Sequence, residues 1–440
     1  MRIAIVVHGF PPTYYAGAER AAERIVHWLV AQHHEVEVFA LEQLNAAETR
    51  LETRQENGFI VHRFYYNVEH GDPFRNLYDH PAIGAAFRTF LEGRSFDLVH
   101  IVSGYLLGGQ VIHVARAQGI PVVMTLTEYW FLCYRLNLLR TNGDLCVGPE
   151  TDEKCARCLL EEKRRYRMPV EFVPREVVDR FWSVADHTPL VKTAAERIAE
   201  RRQTLRQALD AVDLVISPSR FLIDKFHQFG FDTRNYVYIR HGLTVQHRPA
   251  SHQSPDSQNA LRLGYIGQIK AHKGTDLLVD ALLPLIERGE KVTLDVWGPE
   301  DETPDYAAEL KRRTAGTPAV RWHGRYQAPQ VWDILSSFDL LVVPSRWYEN
   351  SPTVIAEAFT IGLPVIATNL GGMAELVTHE QSGLLFELNS ITDLRGQIER
   401  LLHEPDLLGR LQAGVPAVKT AEDEVQEIFA QYQRLVGPAS

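Results

Sequence analysis

The sequence predicts an α/β protein made of two doubly wound domains, and three observations lead there. Its 440 residues exceed what one hydrophobic core ordinarily supports, so two domains of about 200 residues each are expected. Short β-branched runs alternate with helical stretches, the pattern of strands joined by crossover helices in a mostly parallel sheet. That pattern begins twice. The composition, 45% hydrophobic and 23% charged without any low-complexity tract, excludes a disordered or fibrous chain.

The first domain is expected over residues 1–243, with strands at Arg2 to Val7, Glu35 to Ala40, Phe59 to Tyr66, Asp97 to Ser103, Pro121 to Thr127 and Asp213 to Ser219. The opening run MRIAIVVHGF offers only five apolar residues between Arg2 and His8, fewer than the about seven to fifteen of a secretory apolar core, so it reads as the first strand. The longest uncharged stretch, Leu98 to Ala115, contains His100, Gln110, His113 and three glycines, unlike a membrane span. A cytoplasmic protein without a transmembrane anchor is therefore expected. Residues 130–206 carry all four cysteines and a charged helical stretch, and read as an insertion.

A polar stretch rich in Ser, Gln, His and Pro, residues 244–260, reads as the linker. The second domain, residues 261–420, restarts with LRLGYIG and continues through VTLDVWG, VRWHGR, DLLVVPSR, PVIAT and GLLFEL. Ligands of doubly wound folds bind at the carboxyl ends of the strands, which places the expected active site in a cleft between the two domains. No G-x-G-x-x-G follows either first strand, so a nicotinamide dehydrogenase is set aside.

Net charge is −10, and its distribution is informative. Residues 1–250 hold 30 Lys+Arg against 30 Asp+Glu, whereas residues 251–440 hold 16 against 26. An acidic second domain argues against nucleic-acid binding. The basic run KRRYR, Lys163 to Arg167, reads as a solvated helix face, with anionic lipid or a phosphorylated acceptor as the functional alternative.

The segment Leu340 to Gly372 reads as strand, loop, helix, strand, loop. Ser351 suits an N-cap, Pro352 the first helical position and Gly362 a left-handed C-terminal turn, which predicts a helix from Pro352 to Ile361. Glu349 then lies on the loop before the helix and Glu357 in its second turn, with the amides of Thr353 and Val354 at the helix start. Such a start binds anions. A diphosphate on those amides would leave the two carboxylates to accept hydrogen bonds from sugar and ribose hydroxyls. Lys273, in AHKG after the domain's first strand, is placed to neutralise diphosphate charge. Gly371 and Gly372 provide a loop that can approach a ligand closely, and the first domain's YYAGAE loop can present the Gly17 amide. A Glu pair seven residues apart is common by chance; the ordered set is far more specific.

HGFPPTYYAGAER, ISPSRF, GYIGQIKAHKG, VWG, HGR, the Glu349-to-Glu357 element and LGGMAEL together resemble glycosyltransferase family 4, the retaining glycosyl transferases group 1 with the GT-B fold. The resemblance covers nearly the whole chain. It implies two Rossmann-like domains facing an interdomain cleft, a nucleotide-sugar donor held mainly by the second, an acceptor on the first, and a C-terminal helix, residues 421–440, crossing back. It implies Glu349 near the donor sugar, Glu357 on the ribose, Lys273 on the diphosphate and Gly17 in the glycine loop, with no metal required for transfer. The function expected is transfer of a sugar, with retention, to a hydroxyl of a glycan, lipid-linked or small-molecule acceptor. The setting the resemblance implies is polysaccharide or glycolipid assembly at the inner membrane surface. The alternatives are a sugar-nucleotide epimerase of the same fold and a catalytically weak sugar-nucleotide-binding module.

Two positions depart from the family. Gln268 stands where many members have Arg, which shifts diphosphate charge onto Lys273, with Arg346 or Arg220 as helpers. Thr127 and Glu128 stand where the family has His-Asp, and Thr cannot titrate as His does. Glu128 remains able to accept a hydrogen bond from a substrate hydroxyl and is taken as a catalytic residue with Glu349 and Lys273. His8 and His100, at strand ends, and Trp130, in an aromatic run, are acceptor-side candidates. For His100 a hydrogen-bonded histidine beneath the loop is an equal reading, and for Trp130 packing is the commoner one.

Cys133, Cys146, Cys155 and Cys158 fall within 26 residues and end in C-x2-C. Four thiolates so spaced can close a structural zinc site. Disulfides, which a cytoplasmic chain disfavours, and free thiols are the alternatives.

Overall fold

Val, Ile and Leu dominate both faces of the central strands, and a parallel sheet with helices on each side buries both faces. The computed structural model describes residues 1–43, 49–69, 71–163, 175–245 and 260–437. Within them the chain divides into two compact units. One comprises Met1–Pro218, Leu222–Ile239 and the terminal stretch from Glu422; the other comprises Ser219–Phe221 and Arg240–Ala421. Most of the polar stretch 244–260 and Arg164 to Arg167 of the basic run lie outside the described residues.

The first unit contains β1 (Arg2–Val7), β2 (Glu35–Gln43), β3 (Arg50–Glu56), β4 (Phe59–Tyr66), β5 (Leu98–Val102), β6 (Val122–Thr125), β7 (Leu214–Ser217) and β8 (Tyr236–Tyr238), ordered β3-β4-β2-β1-β5-β6-β7-β8. All pairings are parallel except β3 with β4. The order reverses between β1 and β5, so the loops after those strands flank a topological switch point. Helix Gly17–Ala31 buries Ala18, Ala21, Ala22, Ile25, Val26 and Leu29 against the sheet, one stripe of a 3.6-residue period.

Two strands escaped the sequence reading. β3 is RLETRQE, exposed along most of its length, and shows no apolar alternation because it is an edge strand protected by charge. β8 has only three residues. Between β6 and β7 stand the helices Asp152–Glu161, Arg175–Ala185 and Pro189–Asp210. The chain's last helix, Ala421–Val436, adds Val425, Ile428 and Tyr432 to the core of the first unit. An Arg24–Glu424 ion pair at 3.1 Å and a hydrogen bond between His100 and Tyr432 fix its register.

The second unit contains β9 (Leu261–Ile266), β10 (Val292–Trp297), β11 (Val320–Gly324), β12 (Leu340–Val343), β13 (Val365–Thr368) and β14 (Gly383–Phe386), all parallel, ordered β11-β10-β9-β12-β13-β14. This is the dinucleotide-fold order, three strands wound one way and three the other. β9 and β12 sit at the reversal. The loops leaving them, Gly267 to Gly274 and Pro344 to Pro352, are where a ligand of such a sheet binds. Among the described residues, no helix is long and apolar enough to cross a membrane.

Candidate functional site

In the second unit the two switch-point loops are locked together by a glycine. Gly274 has φ +73°, and a Cβ there would stand 1.9 Å from the Pro344 carbonyl oxygen. Only glycine lets the turn Ala271–Lys273 press against the end of β12. That approach brings Lys273 Nζ to 2.7 Å from Glu349 Oε1. The same oxygen also accepts from Ser345 Oγ at 2.9 Å and Trp347 Nε1 at 2.8 Å. Three donors thus converge on Oε1, and Oε2 receives none of them. Glu349 is 8% exposed, so its carboxylate is held rigidly with one oxygen committed.

Trp347 binds both partners, since its ring lies 4.9 Å from Lys273 Nζ while its N–H serves Glu349. His272 packs edge-on to the same indole. Burial, with Lys273 and Lys270 nearby, pushes the His272 imidazole down to about 4, so it is neutral at physiological pH. Ser345 and Trp347 were not anticipated from sequence. Their signal is their spacing, four and two residues before Glu349 on one loop.

The helix is Thr353–Thr360, and its N-cap is Pro352 rather than Ser351. The expected start therefore shifts by one residue. Pro352 is extended with ψ 111°, and no side chain caps the first turn, so the amides of Thr353 and Val354 open the helix. Gly362 adopts φ +77° and ends it. Glu357, partly buried, lies in the second turn.

Gly371 and Gly372 do not form an open loop. They begin helix Gly371–Leu376 and pack on the Glu349 loop. The Gly372 amide donates to the Glu349 carbonyl at 2.8 Å, and a Cβ on Gly372 would lie 1.8 Å from the Asn350 carbonyl oxygen. Their small size serves the chain's own backbone. Glu375 accepts from the amides of Arg220 and Phe221 at 2.9 and 3.0 Å, and Ser219 Oγ donates to Asn350 Oδ1 at 2.5 Å.

The helper cation expected at Arg346 is otherwise engaged. Its guanidinium bonds Asp276 at 2.7 Å and the Ala271 carbonyl, bracing the lysine turn. Gln268 Nε2 donates to Glu302 at 3.2 Å, and Lys270 pairs with the same residue. Lys273 is the cation that meets Glu349.

In the first unit Ser103 ends β5 with φ +69°, an uncommon conformation for a side chain other than glycine. Its Oγ lies 3.1 Å from both carboxylate oxygens of Glu128 and donates its one proton to either. Thr127 Oγ1 donates to Glu128 as well. Burial pushes the Glu128 carboxyl above the usual range, and the Thr127, His8 and Ser103 interactions offset only part of that. His8 Nε2 is 3.1 Å from Glu19 Oε1, and His8 Nδ1 is buried without a partner among the described residues. Burial raises Glu19, but the His8 hydrogen bond and charge together with backbone hydrogen bonds from the helix start outweigh it and leave the carboxyl lowered. Gly17 is exposed at the first turn of its helix, with open space where a Cβ would be.

Two acceptor-side expectations are corrected. His100 is not at a strand end facing a ligand. It lies in the middle of β5, 0% exposed, with Nδ1 on Tyr432 Oη at 2.5 Å and Nε2 on Thr125 Oγ1 at 2.8 Å. Burial lowers its pKa to about 3, so it is a neutral core histidine. Trp130 is 1% exposed and sits under Tyr105, whose ring in turn meets His8 edge-on. Arg201 Cζ stands 4.3 Å from the centroid of the Trp130 ring. Trp130 is the floor of the aromatic stack.

Residues 260–404 match the family model described as glycosyl transferases group 1, and residues 16–150 match the glycosyl transferase 4-like domain. With both halves matched over more than half its length, the chain belongs to the group 1 glycosyltransferase family. It is 31% identical to a D-inositol 3-phosphate glycosyltransferase of Rhodococcus jostii, over 73% of this chain and 62% of that one. It spans about half to three fifths of the length of the first curated relatives it matches, from 45% to 62%. Among solved structures it resembles a glycosyltransferase from Rickettsia africae, with TM-score 0.65 and 13% identity over the whole of both chains. It also resembles Anabaena HepE in complex with UDP and glucose, with TM-score 0.60 and 18% identity over 99% of this chain and all of that one. These likenesses establish the GT-B fold.

Proposed function

We propose that the chain transfers a sugar, with retention of anomeric configuration, from a nucleoside-diphosphate sugar to a hydroxyl of a glycan, lipid-linked or small-molecule acceptor. The observation that carries this reading is the Lys273–Glu349 pair at the switch point of the second unit, beside a helix start without a side-chain cap. A diphosphate placed on the Thr353 and Val354 amides draws Lys273 toward its oxygens. Glu349 then offers hydrogen-bond acceptors to the sugar, and Glu357 to the ribose. HepE, bound to UDP and glucose, and the relatives that act on inositol phosphate support the donor class and a hydroxyl acceptor.

In this reaction the acceptor oxygen bonds to the anomeric carbon as the bond from that carbon to the diphosphate breaks. The bonding electrons stay with the diphosphate, and the hydroxyl proton passes to one of its oxygens. Lys273 and the helix amides stabilise the charge that develops there, in the role a metal ion fills elsewhere. Glu128, held by Ser103 and Thr127, accepts a hydrogen bond from the incoming hydroxyl and orients it. Incubation with a panel of nucleotide sugars and acceptors, followed by mass measurement, should yield a glycosylated product and a nucleoside diphosphate. Donor bound without turnover, or isomerised donor alone, would contradict the proposal.

A further inference from the structure

The function proposed above does not use the four cysteines, yet the fold gathers them. Cys133 follows the aromatic run after β6. A turn at Gly143, φ +84°, pairs Leu139 with Leu145 and leads the chain to Cys146, whose amide donates to the Leu138 carbonyl. Thr151 caps helix Asp152–Glu161, and Cys155 and Cys158, three residues apart, share one face of it. All four side chains line a single cavity of about 60 Å³. That volume is far below the roughly 300 Å³ or more of a site for a sugar or nucleotide, but an ion needs no more. None of the four is in a disulfide.

The same cavity carries an unbalanced positive charge. Arg201 lines it, is 4% exposed, and has a buried Nε without a partner among the described residues. Its other contacts are the Trp130 carbonyl and the Trp130 ring, neither of which is a countercharge. Arg135 also lines the cavity, with a buried Nε that has no partner among the described residues and a terminal nitrogen pairing with Glu162. A buried guanidinium without an anion is costly. Neutral thiols do not supply that anion, whereas four thiolates on one divalent ion carry a net charge of −2 and accept hydrogen bonds at sulfur.

We infer that Cys133, Cys146, Cys155 and Cys158 bind one zinc ion in a tetrahedral tetrathiolate site whose negative charge is balanced by Arg201 and Arg135. Among the described residues, no group of three or more His, Cys, Asp or Glu side chains is placed to hold a metal ion, so binding requires the four thiols to turn toward one another in the cavity they line, which ties the loop 133–146 to helix Asp152–Glu161. Four sulfur donors select zinc over hard cations. The role is structural, since the set leaves no open position for a substrate.

The test is elemental analysis of the full-length protein, purified without chelator, together with titration of accessible thiols. About one zinc per chain is expected, with thiols unreactive until a mercurial reagent displaces the metal, and zinc release tracking that titration. The Cys155→Ser, Cys158→Ser double variant should lose the metal. If it fails to fold, the titration of the unaltered chain still decides the matter. Four reactive thiols with less than about 0.1 zinc per chain, a disulfide detected by mass, or iron in place of zinc would overturn the assignment.

Discussion

Lys273 and Glu349 test each other's roles. Replacing Lys273 with Met removes the cation meant for the leaving diphosphate, and kcat/KM should fall about 10²- to 10³-fold, the usual loss of one electrostatic group at a reacting centre. Glu349→Ala should lower kcat chiefly, and Glu357→Ala should raise KM for the donor; steady-state kinetics that reversed the pattern would exchange the two roles. Glu128→Ala should lower kcat about 10²-fold through lost orientation of the acceptor, and an unchanged rate would remove it from the mechanism. His100 predicts a pH effect on stability. The unfolded ring takes up a proton near 6.5, the folded ring only near 3, so the unfolded state binds more protons across that window. Stability is fully present above 6.5 and declines as pH falls toward 3, by about 1.4 kcal/mol per pH unit from this group. Urea midpoints at pH 7.5 and 5.5 should show a smaller drop for His100→Gln than for the unaltered chain. At this scale the sequence singled out Glu349 and Lys273, which the fold brings to 2.7 Å, because their neighbours in the chain form motifs. For His100 and Trp130 it left a packing reading beside the acceptor-side one, and only burial against Tyr432 and Arg201, residues distant in sequence, decides for packing.

The elements around the site are set by close backbone approaches. Gly372 sits where a methyl group would meet the Asn350 carbonyl at 1.8 Å, so Gly372→Ala must displace the loop carrying Glu349. A loss of about 1–3 kcal/mol of stability is expected, with kcat falling further than that loss explains. Melting curves and kinetics on the same preparation check both. Gly396→Ala, inside helix Ile391–His403 with open space at its Cβ, serves as the control and should leave kcat unchanged while stability rises by about 0.5–1 kcal/mol. Glycine and proline punctuation made the helix at 353–360 and its end at Gly362 legible. The true cap, Pro352, was missed by one residue because Ser351 and Pro352 both suit a helix start, and the backbone alone decides between them. Edge strand β3 was invisible because its pairing with β4 is satisfied by main-chain hydrogen bonds, with charge rather than apolar alternation on its surface.

Each of the two compact units buries its own hydrophobic clusters, and each should unfold with its own transition. Removal of residues 421–440 takes Val425, Ile428 and Tyr432 from the first unit's core, at roughly 1.5–3 kcal/mol for each large side chain lost. Calorimetry should then show the first unit's transition lowered and the second's unchanged. The doubled α/β pattern and the acidic second half were readable from composition and periodicity. The return of the last helix was readable only by family resemblance, because no local pattern encodes which sheet an amphipathic helix will cover. The central claim, that the second unit holds the diphosphate of a nucleotide sugar on Lys273 and the 353–354 amides, is tested most directly by calorimetric titration of nucleoside diphosphates and their sugars into the unaltered chain and Lys273→Met. The account predicts saturable binding of at least one nucleotide by the unaltered chain and a loss of affinity of tenfold or more in the variant. Equal affinity in the two proteins, or no nucleotide bound by either, would contradict it.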